Sequence, residues 1–207
     1  MTNFQNFFES NPVFNNGGST GINNWRPSSC TNMQNMFYGC TGFNQPIGAW
    51  DVSNVTKMES MLRRDAGGMT FDQDIGSWDV SNVTNFHAFM YANSSSNAFN
   101  NAGSPSIGSW NTSSMTRMDY MFARCTNFDQ SLSGWDVSSV TNASSFMNAC
   151  TLSTANYDST LSGWSSQSVQ NGVNIHFGNS QYSSATGAAY RTALINAGWT
   201  ITDGGSV

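Results

Sequence analysis

Thr31-Asn32-Met33-Gln34-Asn35-Met36-Phe37-Tyr38-Gly39-Cys40-Thr41-Gly42-Phe43-Asn44-Gln45-Pro46-Ile47-Gly48-Ala49-Trp50-Asp51-Val52-Ser53-Asn54-Val55 is one copy of a unit that fills most of this chain. Tryptophan marks the register: Trp25, Trp50, Trp78, Trp110, Trp135 and Trp164 lie 25, 28, 32, 25 and 29 residues apart. Six residues after each of the first five stands a threonine, Thr31, Thr56, Thr84, Thr116 and Thr141. Thr2 opens a further copy that begins inside the repeat. A period of 20–50 residues is the signature of a solenoid or related array.

Within a unit the hydrophobic period changes. Ile47, Trp50, Val52 and Val55 suit a short extended segment, with Trp50 and Val52 on one face. Val55, Met58, Met61 and Leu62 then follow a helical stripe. Thr56 fits the helix N-cap, and Glu59 three residues on completes a capping box. The offset recurs at Thr2/Gln5, Thr31/Gln34 and, more loosely, Thr116/Asp119. The expected caps are therefore Thr31, Thr56, Thr84, Thr116 and Thr141. Each unit closes on a loop carrying Phe-Asn-Gln or a variant: Phe43-Asn44-Gln45, Phe71-Asp72-Gln73, Phe99-Asn100-Asn101, Phe128-Asp129-Gln130 and Tyr157-Asp158-Ser159. Insertions fall at 65–70, 93–98 and around 102–106, and Asn93–Asn97 reads as a mobile tip.

The fold class expected is an α/β repeat solenoid, each coil of about 25–32 residues holding a short strand and a short helix. Residues 1–169 make about six coils, the first incomplete. Residues 170–207 make a C-terminal strand-helix-strand cap. The shared interior should contain Trp25, Trp50, Trp78, Trp110, Trp135 and Trp164 with the methionines and phenylalanines between them. The four cysteines read as small buried apolar residues, with a Cys125–Cys150 bridge as the alternative.

Only 9% of residues are charged, the net charge is −5 and the pI about 4.6. Nucleic acid requires a surface rich in Lys and Arg, so it is not expected as a partner. No apolar run approaches the roughly 20 residues of a membrane span, so membrane insertion is not expected. Met1-Thr2-Asn3-Phe4 lacks the basic start and apolar core of a signal peptide. Because the first copy starts mid-repeat, another chain or a virion component is the expected neighbour at the N-terminal end.

The stretches 43–58 and 71–86, both of the form Phe-Asn/Asp-Gln-x-Ile-Gly-x-Trp-Asp-Val-Ser-Asn-Val-Thr, resemble BspA-like surface-protein repeats. This is a leucine-rich-repeat-related family also described from mycoplasma lipoproteins. The likeness runs over roughly residues 2–169, and 188–205 is similar to the segment that often closes such arrays. The resemblance implies right-handed, leucine-rich-repeat-like coils and a surface-exposed adhesion or recognition role in bacteria and some of their phages. It supplies no catalytic residues.

Aligned coils would place Asp51, Asp79, Asn111 and Asp136 in one column, with Ser53, Ser81, Ser113 and Ser138 beside it. These eight are the candidate ligand-binding residues, for sugar hydroxyls or a cation, though no EF-hand-like loop supports a Ca²⁺ ion. The competing reading is that they hydrogen-bond the backbone. Tyr38, Tyr91 and Tyr120 either fill gaps between helices or offer faces to sugars. His87 and His176 are isolated, and no nucleophile, base and acid can be paired by spacing. Asp72, Asp74 and Asp129 fit turns better than a carboxylate pair. No enzyme activity, metal or cofactor is expected. The function expected is a non-enzymatic recognition or adhesion module, virion-borne or extracellular on a cell surface, binding a host or cell-surface glycan or protein. The alternative is a structural virion or filament subunit whose ends dock on other chains.

Overall fold

The computed structural model describes residues 1–68, 70–93 and 97–207; positions 94–96 of the tip expected at Asn93–Asn97 lie outside that range. The α/β solenoid of strand-plus-helix coils is not the fold. Among the described residues there are two α-helices, α1 (Thr154–Ser165) and α2 (Gly187–Asn196), and two three-residue strands, β1 (Asn174–His176) and β2 (Thr200–Thr202). All four lie after residue 153. Ahead of them the chain is built from turns, with 3-10 segments at Asn16–Gly18, Thr20–Asn24, Asn101–Gly103 and Pro105–Ser109.

The backbone explains why no helix forms. Asn6, Asn35, Ser60, Ala88, Tyr120 and Ser145 all have φ between 53° and 58°. Each stands four residues after its unit's threonine. A left-handed residue there ends any right-handed helix after one turn. Asparagine tolerates the conformation best, which suits Asn6 and Asn35.

Alternate amides then serve different partners. Met33, Asn35, Phe37 and Gly39 donate forward to the carbonyls of Lys57, Glu59, Met61 and Arg63 at 2.8–3.0 Å. Met36, Tyr38 and Cys40, between them, close turns on Met33, Asn35 and Phe37. The pattern repeats from Met58 to Arg64 against Asn85–Tyr91, and from Met118 to Arg124 against Asn142–Asn148. Single parallel bridges run Asn3–Asn32–Lys57–Asn85–Arg117–Asn142 along the same row. No unit satisfies its own backbone. Alternate donors of this row need the next copy, and a buried amide left without an acceptor costs about 1–3 kcal/mol.

Side chains reinforce the rows. The indole N–H groups of Trp50, Trp78, Trp110, Trp135 and Trp164 donate to the carbonyls of Ile22, Ile47, Ile75, Ile107 and Leu132 at 2.8–3.2 Å. Each acceptor lies three residues before the preceding unit's tryptophan. The same carbonyl also takes that tryptophan's backbone N–H. Trp25 on Trp50, Trp78 on Trp110 and Trp110 on Trp135 stack at 6.0–6.5 Å within 7° of parallel. Phe14, Phe43, Phe71, Phe99 and Phe128 form a second column at 5.8–6.2 Å. Trp50, Trp78, Trp110, Trp135 and Trp164 are buried, while Trp25 is half-buried. An aromatic ring covering about 200 Å² gains on the order of 5 kcal/mol on burial, as an upper bound.

Asparagine forms a third column. Asn44 accepts from the backbone N–H of Asp72 and the side-chain amide of Gln73, as Asn15 does from Asn44 and Gln45 and Asn100 from Asp129 and Gln130. The Phe-Asn-Gln motif thus joins neighbouring units, instead of closing its own loop. Insertions are absorbed locally. Phe14 to Trp25 and Phe99 to Trp110 fold alike, each through a left-handed Asn-x-Gly turn and a serine-capped 3-10 turn.

The buried Arg64 guanidinium, 1% exposed, donates to the carbonyls of Gly68 and Cys40 and so ties one insertion to the preceding unit. Burial lowers its pKa to about 10. The four cysteines are buried and free. Cys40 and Cys150 thiols donate to the carbonyls of Phe8 and Phe122. At the far end β1 pairs parallel with β2, α1 packs on α2, and Arg191 holds Asp203 at 2.7 Å.

Backbones approach so closely that a side chain is excluded at Gly48, where an added Cβ would sit 2.3 Å from the Asp74 carbonyl oxygen. Gly48→Ala should therefore destabilise the fold by about 1–3 kcal/mol through overpacking, measured by urea denaturation. Gly17→Ala, which meets nothing within 4 Å but has φ +60°, should cost less.

Candidate functional site

The proposed ligand columns are largely self-satisfied. The Ser53, Ser81, Ser113 and Ser138 amides donate to Oδ1 of Asp51, Asp79, Asn111 and Asp136 at 2.9–3.2 Å. The Ser53, Ser113 and Ser138 hydroxyls bond the same oxygens at 2.6–2.8 Å. These are tight turns of the Asx kind. The Ser53 hydroxyl and amide hold the Asp51 carboxyl below its ordinary range. The columns are outward, Asp51, Asp79 and Asn111 being exposed, but one oxygen of each is spent on its own turn. Asp72, Asp74 and Asp129 accept from the backbone or side chains of Asn100, Ser106 and Ser153 in the next unit, so they too are structural.

The threonines do not cap helices. Thr31, Thr56, Thr84, Thr116 and Thr141 donate their hydroxyls to the preceding unit's threonine carbonyl at 3.1–3.4 Å. The turn is capped one residue later, where Asn32 and Asn85 accept from Gln34 and His87 at 2.9 Å. Glu59 reaches sideways to the Asn85 amide instead of back to Thr56.

What repetition does bring together is a cluster that spacing alone does not reveal. The third position after the threonine carries Gln34, Glu59, His87 and Asp119; the seventh carries Tyr38, Arg63 and Tyr91. Stacking the units sets these side chains beside one another. His87 Nδ1 lies 2.6 Å from Asp119 Oδ2, and Arg117 clamps Asp119 through Nε at 2.6 Å and Nη2 at 3.1 Å. Arg63 pairs with Asp65 through Nε at 3.0 Å and Nη2 at 2.9 Å, and Tyr38 donates to the other Asp65 oxygen. The Arg63 guanidinium lies 5.1 Å from the Tyr91 ring centre and 5.8 Å from that of Tyr38. Tyr91 and His87 stand at 79° and 82° to Tyr120, with centroids at 5.7 and 6.1 Å. Arg63, His87, Ala88, Tyr91 and Tyr120 line a cleft of about 200 Å³. Tyr120 is 38% exposed.

Burial would raise the Asp119 carboxyl, but hydrogen bonds from His87 and Arg117 outweigh it and hold the group below its ordinary value of 3.8. Asp65 behaves alike under Tyr38 and Arg63, and the Tyr38 phenol is pushed up chiefly by its bond to Asp65. Both acids therefore serve to fix arginines. Among the described residues no nucleophile is hydrogen-bonded to His87, and no three His, Cys, Asp or Glu groups converge to hold a metal.

A second, apolar cleft of about 450 Å³ lies on the first unit between Met1, Phe4, Phe7, Trp25, Arg26 and Pro27. Phe7 is 46% exposed there. Among the described residues no helix is long and apolar enough to cross a membrane.

This geometry defines a tandem-repeat protein whose turn-built units are joined edge to edge and carry their variable chemistry on one row. The chain belongs to the family described as Mycoplasma protein of unknown function, DUF285, which matches residues 2–104 and 94–189. No curated protein and no solved structure matches it.

A carboxyl with a depressed folded pKa binds fewer protons folded than unfolded between the two values, so stability rises with pH across that window. The Asp119 contribution is complete above the unfolded value and lost as pH falls through the lower folded one. Thermal melts should fall in midpoint below about pH 4, and Asp119→Asn should flatten that fall. At pH 7 the same variant should lose about 1–3 kcal/mol.

Proposed function

We propose that the chain is a non-enzymatic recognition module displayed on a cell or virion surface, binding glycan or protein there. The observation that carries this is the cleft of Arg63, His87, Tyr91 and Tyr120. It is where the exposed Tyr120 ring, the half-buried Tyr91 and hydrogen-bonding groups converge on a repeat whose other polar groups are largely structural. Polar positions that recur from unit to unit are consumed by turns and inter-unit bonds, so binding chemistry is concentrated in what varies between units. The family match is consistent with a surface protein. The finer likeness to BspA-like, leucine-rich-repeat-related adhesins supports the same reading.

A second reading, a structural subunit that docks by its end on another chain, is favoured by the apolar cleft at Phe4, Phe7 and Trp25.

The test is binding of the purified chain to a glycan array and to whole cells by flow cytometry. Saturable binding that drops at least fivefold in Tyr91→Ala supports recognition. No binding to any glycan or cell, with self-association abolished by Phe7→Ser, transfers the case to the docking subunit.

A further inference from the structure

The geometry points to a single sugar ring bearing a carboxylate as the ligand of the Arg63–Tyr120 cleft, an inference that rests on the recognition reading. Charge is the first argument. The chain is net −5, yet the three adjacent stretches 57–65, 85–93 and 117–125, with the buried Arg64 left out, hold four Lys or Arg (Lys57, Arg63, Arg117, Arg124) against three Asp or Glu. This row escapes the acidity of the rest of the chain, so an anion is repelled less here than elsewhere on the surface.

Donor accounting is the second. Asp119 is buried, with both oxygens spent on Arg117 and His87. Asp65 has both oxygens spent on Arg63 and Tyr38. The acids therefore offer a ligand little. Arg63 Nη1, Arg117 Nη1 and His87 Nε2 have no partner among the described residues. Each arginine is held by two bonds to its own aspartate, so the remaining edge is oriented before a ligand arrives. Asp65 takes the Nε and Nη2 side of Arg63, which leaves its Nη1 edge free among the described residues, and Arg63 is the one arginine among the residues lining the cleft. That suits one carboxylate better than a dianionic phosphate, which calls for several charged donors at once.

Shape is the third. Tyr120 meets the rings of His87 and Tyr91 nearly at right angles, and Arg63 covers a face of Tyr91. Tyr120 is thus the ring available for stacking an apolar sugar face. A cleft of about 200 Å³ is below the range of drug-sized pockets, roughly 300–1,000 Å³, and fits one ring. His87 Nε2 completes the site by bonding a ring hydroxyl or the carboxylate.

The test is a ¹H–¹⁵N NMR titration of the full chain with methyl glucuronide, methyl glucoside and glucose 6-phosphate. Methyl glucuronide should shift the amides of Arg63, His87, Tyr91 and Tyr120 and bind at least fivefold more tightly than the other two. Arg63→Gln should abolish that preference while leaving glucoside binding in place. Tyr120→Ala should weaken both sugars at least tenfold. Ala88 holds the same left-handed slot one unit earlier with φ 53°, so the variant keeps its fold, checked by an unchanged thermal midpoint. Equal affinity for glucuronide and glucoside, tighter binding of the phosphate, shifts confined to other residues, or no shifts at all would overturn the inference. Array or cell binding that persists in Tyr120→Ala would overturn this site and leave the wider recognition reading standing.

Discussion

Everything in this chain depends on backbone amides that have no acceptor within their own unit. In each stretch after the threonine, alternate N–H groups close turns while the others reach the next copy. An isolated unit would bury donors without partners, at a cost that a 25-residue segment has too little core to offset. The Trp-to-Ile/Leu carbonyl bonds and the asparagine column obey the same constraint, since each takes a partner one unit away. Stability is therefore a property of junctions, and a change at one row is felt by two units.

The constraint also explains the composition. Asn, Ser, Thr and Gly dominate because turns, left-handed residues and side-chain-to-backbone bridges require them. Charge is scarce because most polar groups are committed to the backbone. Where charge does gather, Arg63 pairs with Asp65 and Arg117 with Asp119 inside one unit, and the neighbouring units add Tyr38 to Asp65 and His87 to Asp119. A repeat of nearly uniform units thus makes a local site by varying two or three positions per copy.

The repeat, its register and the interior were legible because Trp50, Trp78 and Trp110 recur at fixed offsets from Thr56, Thr84 and Thr116. The local conformation was not. Met58, Met61 and Leu62 are buried at helical spacing, yet two successive turns through Ser60 give the same burial pattern. Hydrophobic periodicity cannot separate a 3.6-residue helix from a turn repeated about every four residues. The signal that distinguishes them is Asn6 and Asn35 at the slot where the chain turns left-handed, weakened by Ser60, Ala88 and Tyr120 in later copies. The cluster at His87 and Asp119 was hidden for another reason. The two residues are 32 apart in sequence and meet only because the stretched unit still stacks in register. Their shared offset from Thr84 and Thr116 was the available clue.

The most direct measurement is amide and indole hydrogen exchange by NMR. The account predicts slow exchange at the indole N–H of Trp50, Trp78, Trp110 and Trp135, and fast exchange at the half-buried Trp25. It also predicts protection of Met33, Asn35, Phe37 and Gly39 that is lost together when the 57–63 row is disrupted. Uniformly fast exchange at those indoles, or continuous helical protection through residues 31–40 that survives that disruption, would contradict it.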